Sequence, residues 1–135
     1  VFHTIDSVRL AQALSRSAIE LSMVADGLIE VNLSDDLGRS GLLPDSLLDS
    51  ASQILELPGL HVRGLMGMAS HPEAGRSPRR EFAYLRELRD TLSARFPTAG
   101  GLPELSMGMS GDFEDAIYEG STMVRIGSAL FSGLR

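Results

Sequence analysis

The feature that most constrains this chain is a strict alternation of short apolar, β-prone runs with amphipathic helical segments, and no hairpin signal joins any two of the runs. "VFHTI" is the first run, and Asp6 or Ser7 is placed to cap a helix in which Leu10, Leu14, Ala18 and Leu21 recur at helical spacing. "GLIEVNL", from Gly27 to Leu33, reads as the second strand and runs into the polar loop "SDDLGRSG". Pro44 then opens a helix with Leu47, Leu48, Ala51, Ile54 and Leu55 on one stripe. "LHVRGLMGMA" reads as the third strand, with Gly64 and Gly67 marking close approach of backbone or ligand. After "SHPEAGRSP" comes a helix carrying Phe82, Leu85, Leu88, Leu92 and Phe96, ended by the segment from Pro97 to Pro103. "LSMGM" is the fourth strand, "DFEDAIYEG" a short helix, and "MVRIG" a fifth strand leading into "SALFSG".

That order builds a parallel sheet with helical crossovers, so the class is α/β. Two architectures satisfy it: an open doubly wound sheet and part of a (β/α)8 barrel. No G-x-G-x-x-G follows any strand, which leaves the dinucleotide-binding version without support. A full barrel needs eight strands and about 250 residues. The 135 residues, 43% hydrophobic, are enough for one core and supply more than half a barrel. The chain starts at Val1 inside an apparent strand, which predicts that it is part of a longer protein.

Composition removes several functions. A net charge of -6 argues against a nucleic-acid surface, and "RSPRR" reads as the solvated start of a helix. No apolar run approaches the ~20 residues that span a bilayer, and "VFHTIDS" lacks the features of a signal peptide, so no membrane association and a cytoplasmic location are expected. "NLS" at Asn32 reads as a chance glycosylation sequon. The chain has no Cys, hence no disulfide or thiolate chemistry. Every basic residue is Arg, so no side chain here can form a Schiff base with a carbonyl cofactor. His3, His61 and His71 lack metal-ligand spacing, and Ser110 has no identifiable triad partners. Met66, Met68, Met107 and Met109 read as core filler.

One arrangement occurs twice. Ser110 and Gly111 directly follow "LSMGM", and Gly127 and Ser128 directly follow "MVRI". In barrels, phosphates are held at the C-terminal ends of the last strands, where backbone N–H groups, hydroxyls and helix N-termini converge. Taken singly, Ser110 or Asp112 is a cap for the following helix and Ser128 a cap for the terminal turn. Repetition at the ends of successive strands favours a phosphate site, with Asp112, Glu114 and Asp115 turned outward. Arg125 lies inside an apolar strand, on the face of Met123 and Gly127; it either pairs with a carboxylate such as Glu104 or meets a ligand.

The run "ELSMGMSGDFEDAIYEGSTMVRIGSALFSG" closely resembles the C-terminal signature of the pyridoxal-phosphate homeostasis (YggS/PROSC) family. "HTIDS", "VNLSDDLGRSG" and "VRGLMGM" are similar, in order, to that family's middle strands, so the resemblance covers essentially the whole chain. It implies the C-terminal part, about five strands, of a (β/α)8 TIM barrel like the N-terminal domain of alanine racemase, with residues 1–135 as its phosphate-binding half. It implies pyridoxal 5'-phosphate as cofactor and partner, its phosphate held by Ser110, Gly111, Gly127 and Ser128, with Met109 beside them. The strand arginine, Arg125, would face the pyridine nitrogen and keep it unprotonated, weakening the ring as an electron sink. This fits a carrier better than a catalyst. Arg39 in "GRSG" replaces the family's usual Lys, and the cofactor lysine, on the family's first strand, is not in this chain. The missing N-terminal segment or a second copy is the further partner expected. The alternatives are part of a pyridoxal-phosphate racemase or decarboxylase, or a structural module.

Overall fold

The computed structural model describes residues 2–34, 36–70, 75, 77–97, 101–109 and 113–125, with the backbone alone for 109, 113 and 123–125. Its elements are β1 (His3–Ile5), α1 (Val8–Glu20), β2 (Ala25–Glu30), a 3-10 turn (Pro44–Ser46) entering α2 (Leu47–Leu55), β3 (Leu60–Gly67), α3 (Pro78–Arg95), β4 (Glu104–Met109), α4 (Phe113–Tyr118) and β5 (Met123–Arg125).

The sheet order is β1-β2-β3-β4-β5 and every pairing is parallel. A doubly wound sheet reverses its strand order at a switch point; here spatial order equals chain order. One contiguous apolar cluster joins the strand residues Ile5, Ile29, Val62, Leu65, Leu105 and Met107, with Val31 just past β2, to Ala11 of α1, Ala51 and Ile54 of α2, Phe82 and Leu85 of α3, and Ala116 of α4. All four helices therefore cover one face. Alternate residues Thr4, Leu28, Glu30 and Met66 lie on the other, where Thr4 Oγ1 reaches Met66 Sδ at 3.6 Å. A sheet wound in one direction with helices on a single face is an arc of a (β/α)8 barrel, and the concave face is the barrel interior.

Local chemistry accounts for the boundaries. Ser7 caps α1, its side chain accepting from Leu10 N, and Ser77 caps α3 by accepting from Arg80 N, with Pro78 in the first turn. β2 ends at Glu30, short of the predicted Leu33, because Asn32 turns the chain. Its Nδ2 donates to Asp36 O (2.9 Å), and its Oδ1 accepts from Ser34 N (2.9 Å) and Ser34 Oγ (2.6 Å). Asn32 is buried, so the sequon amide is closed to modification. Gly64 is required by close approach, since an added Cβ would fall on the Glu104 backbone of the neighbouring strand. Gly67 is closed by side chains instead, an added Cβ meeting Leu33 Cδ1 at 2.8 Å.

Two predicted stripes are corrected. On α1 the buried residues are Ala11, Ser15 and Ala18, whereas Leu10 and Leu21 are exposed. Small residues face inward there because α1 lies close against the chain ahead of β3, where Ser15 Oγ donates to Pro58 O (2.5 Å). On α2, Leu47, Ala51 and Ile54 are buried, Leu48 is exposed and Leu55 is half-buried. On α3 the predicted Phe82, Leu85 and Leu92 are fully buried, and Glu81 is buried with them.

Candidate functional site

In a parallel sheet all the C-terminal strand ends lie at one edge. At that edge the last residue of β4, Met109, is the register partner of Arg125 in β5. The hydroxyl and glycine pairs begin one residue after Met109 and two after Arg125. Ser110, Gly111, Gly127 and Ser128, with the side chains of Met109 and Arg125, lie outside the described residues, as does Asp112. The structure therefore describes the scaffold from which both segments depart.

That scaffold is held by polar contacts. The β4–β5 register shifts between Ser106 and Met109, and Gly108, between them, has a φ of 97°, a conformation that Gly adopts without a Cβ penalty. The joint from α4 to β5 is fastened to β4: Ser121 Oγ donates to Leu105 O (3.2 Å) or Met107 O (3.1 Å), and Leu105 N donates to Thr122 Oγ1 (2.7 Å). Thr122 Oγ1 in turn reaches Glu104 Oε1 at 2.7 Å. Glu104 begins β4, whereas the register partner of Arg125 ends it. An ion pair between Glu104 and Arg125 would have to span about 16 Å of strand, so the geometry disfavours that partner.

α4 is also tied to α3. Arg86 Nη1 donates to Glu119 O (3.1 Å) and Glu119 Oε1 (3.0 Å). Arg79 Nη2 stands 3.2 Å from Asp115 Oδ1, and its guanidinium lies 4.0 Å from the centroid of Tyr118. Asp115 thus turns toward α3, and Glu114 is exposed; Asp112, the third residue of the outward reading, lies outside the described residues. Arg80 is exposed, in keeping with a solvated helix start.

Two buried carboxylates that the sequence pattern did not single out, Glu81 of α3 and Glu30, and the half-buried Arg39 bond to the chain around the ends of β2 and β3. Glu81 accepts from Ser70 N (2.8 Å) and Ser70 Oγ (2.6 Å), pinning the chain as it leaves β3. Glu30, 6% exposed, accepts from Ser40 Oγ (3.1 Å). Arg39 Nη1 donates to Ala69 O (3.5 Å), joining the β2 and β3 loops. A readable signal existed for Glu81 alone: it stands four residues before Leu85, in register with the apolar stripe. Among the predicted methionines, Met107 is fully buried and Met66 and Met68 are half-buried. Among the described residues no set of three His, Cys, Asp or Glu side chains could hold a metal ion, and no helix is long and apolar enough to cross a membrane. His61 instead faces Asp26, Nδ1 to Oδ1 at 3.3 Å.

The family model described as alanine racemase, N-terminal domain, matches residues 1–134. The chain belongs to that family. Within it the chain falls in the pyridoxal-phosphate homeostasis (YggS/PROSC) branch. It is 43% identical over 131 residues to a pyridoxal phosphate homeostasis protein of Aquifex aeolicus, an alignment covering 97% of this chain and 57% of the relative. Among solved structures, a protein of Bifidobacterium adolescentis is 39% identical with a TM-score of 0.84, covering 95% of this chain and 52% of the other. PipY of Synechococcus elongatus, with PLP bound, is 33% identical with a TM-score of 0.79, covering 94% and 58%. The chain thus spans a little over half the length of the curated relatives it matches. Membership of this family agrees with the barrel arc read from strand order.

Proposed function

We propose that this chain is the phosphate-binding portion of a pyridoxal 5'-phosphate homeostasis protein, a cytoplasmic carrier and regulator of the cofactor without catalysis of its own. The observation that carries the reading is the register pairing of Met109 with Arg125, by which the two neighbouring strands that the Ser and Gly clusters follow in sequence end at the same edge of the sheet. The homeostasis proteins among its relatives, and PLP bound to PipY, supply the ligand class.

The donor set fits part of the cofactor. Hydroxyls of Ser110 and Ser128 and the amides of Gly111 and Gly127 are suited to phosphate oxygens, since glycine lets backbone N–H groups approach an anion closely. Arg125 is the candidate for the pyridine nitrogen: a permanent cation there disfavours ring protonation. Met109 adjoins Ser110 at the end of β4. When bound, the cofactor supplies an aldehyde that condenses with amines, and this chain, without Lys, offers it no side-chain amine. What these residues do is hold the phosphate and orient the ring. A racemase-like enzyme would need a lysine and a catalytic acid beyond them.

The test is titration of pyridoxal phosphate into the purified chain and into a Ser110→Ala, Ser128→Ala double variant. Loss of the two hydroxyl donors is expected to weaken binding at least about tenfold. Equal affinity of variant and wild type would refute the site. Borohydride treatment should leave internal positions unmodified; an adduct away from the α-amino group would overturn the assignment.

A further inference from the structure

α1 carries two faces free of charge, and the described chain buries the less apolar one. Ala11, Ser15 and Ala18 are buried, while Leu10, Ala13, Leu14, Ser17 and Leu21 recur at steps of three and four along a second stripe that holds no charged residue. Leu10 is 36% exposed and Leu21 69%, and Leu14 is half-buried at the margin of the core. A leucine stripe left in water forgoes the burial that stabilises a surface helix.

The neighbours of α1 show which way the stripe points. Successive residues of a helix are turned about 100° from one another. Ile19, one step past the buried Ala18, faces the approach to β3: a Cβ added at Gly59 would meet Ala18 Cβ and Ile19 Cγ1, both at 3.3 Å. Leu10 and Leu14, one step before the buried Ala11 and Ser15, are turned the opposite way, toward the β1 side of the sheet. The sheet is open on that side too. Among the described residues β1 pairs with β2 alone, so its outer N–H and C=O groups form a free edge. An uncovered stripe and an unpaired edge thus lie side by side.

The stripe is complementary to itself. Laid antiparallel on a second α1, Leu10 falls opposite Leu21 and Leu14 opposite Ser17, whose small side chain leaves room for it. Arg9 and Glu20, both exposed on the solvent flank, then fall about 3 Å apart along the axis, with opposite charges. We propose that the 135-residue chain forms a twofold dimer in which α1 packs antiparallel on α1 of a second copy, with the two β1 edges facing each other. A twofold axis normal to the sheet reverses β1 and α1 in one operation, so one isologous contact covers both stripe and edge.

Sedimentation equilibrium of the purified chain tests this, with Leu10→Glu/Leu21→Glu as the disrupting variant and Ile117→Glu, at an exposed apolar residue of α4, as the control. Wild type is expected to be a dimer. The double variant should weaken association at least about a hundredfold at unchanged circular dichroism, and the control should leave it as it was. The chain has no Cys, so an introduced one can form a disulfide only with another copy. Leu10→Cys mixed with Leu21→Cys should cross-link under mild oxidation. Neither should cross-link by itself, because like positions stand about 16 Å apart along antiparallel helices. Cross-linking of like with like, a dimer that survives the double variant, or equal loss in Ile117→Glu overturns the proposal. A monomeric wild type overturns it as well, and gives the stripe and edge to a preceding strand and helix of a longer chain.

Discussion

The β2–β3 seam and the β4–β5 seam are built from the same parallel ladder yet held by different forces. β2 and β3 pair from Ala25 opposite Leu60 to Glu30 opposite Met66, and Ile29, Val62 and Leu65 drive one apolar face into the core under α2 and α3. β4 and β5 pair at Ser106 with Met123 and at Met109 with Arg125, across a register shift, and their joint depends on Ser121, Thr122 and the Arg86–Glu119 contact. The first seam is fixed by hydrophobic burial, which is non-directional and distributed over many side chains. The second is fixed by a few directional polar bonds, each worth little to global stability. Loss of one such bond at the second seam is therefore expected to disturb the candidate site more than the fold.

The largest effect expected in testing that contrast is at the seam between β3 and β4. Gly64→Ala places a methyl group on the Glu104 backbone and should split β3 from β4, leaving no cooperative unfolding transition in circular dichroism. A cooperative melt close to wild type would break the packing account. Phe82→Ala, which empties the largest fully buried side chain, should cost about 3–5 kcal/mol in denaturant unfolding.

An intermediate effect is expected from Glu81→Ala, which leaves Ser70 N and Ser70 Oγ without their acceptors in a buried setting. The cost should be about 1–3 kcal/mol. Glu81→Gln should recover part of it, because a side-chain oxygen remains to accept. Equal destabilisation by both variants would show that the charge, not the acceptor geometry, matters there.

The smallest stability effect separates the seams most sharply. Thr122→Val removes the hydroxyl that accepts from Leu105 N while keeping the side chain's shape, and should cost about 1 kcal/mol in thermal or denaturant unfolding. Amide exchange should nonetheless accelerate at Leu105 and Thr122 far more than at Ile29 or Leu65. Uniform acceleration across both seams would erase the distinction.

Legibility followed the same division. The strand and helix order, the cap at Ser7, the Pro44 entry to α2 and the buried Phe82, Leu85 and Leu92 could all be read from the sequence, because each depends on local chemistry or on a period of a few residues. The inward face of α1 could not. Leu10, Leu14, Ala18 and Leu21 make the better apolar stripe, yet Ala11, Ser15 and Ala18 are buried, since the space between α1 and the segment ahead of β3 admits only small side chains. The residues that organise the candidate site's surroundings, Glu81, Arg86 and Glu119, carried little or no local signal. Charged residues on helices are ordinarily solvated.

The sequence by itself determined the α/β class, the exclusion of thiolate and Schiff-base side chains, and the repetition of a Ser and Gly cluster after two strands. These are properties of residue identity and short-range period, independent of how distant segments meet. Tertiary structure alone decided that chain order equals sheet order, so that β4 and β5 are neighbours and Met109 stands opposite Arg125. It also decided which polar groups are buried and with whom, as in Ser70 with Glu81 and Arg86 with Glu119. The physical reason is range: backbone propensity and side-chain period act over a few residues, whereas strand adjacency and the pairing of buried charges depend on segments 11 to 33 residues apart being brought together by a common core.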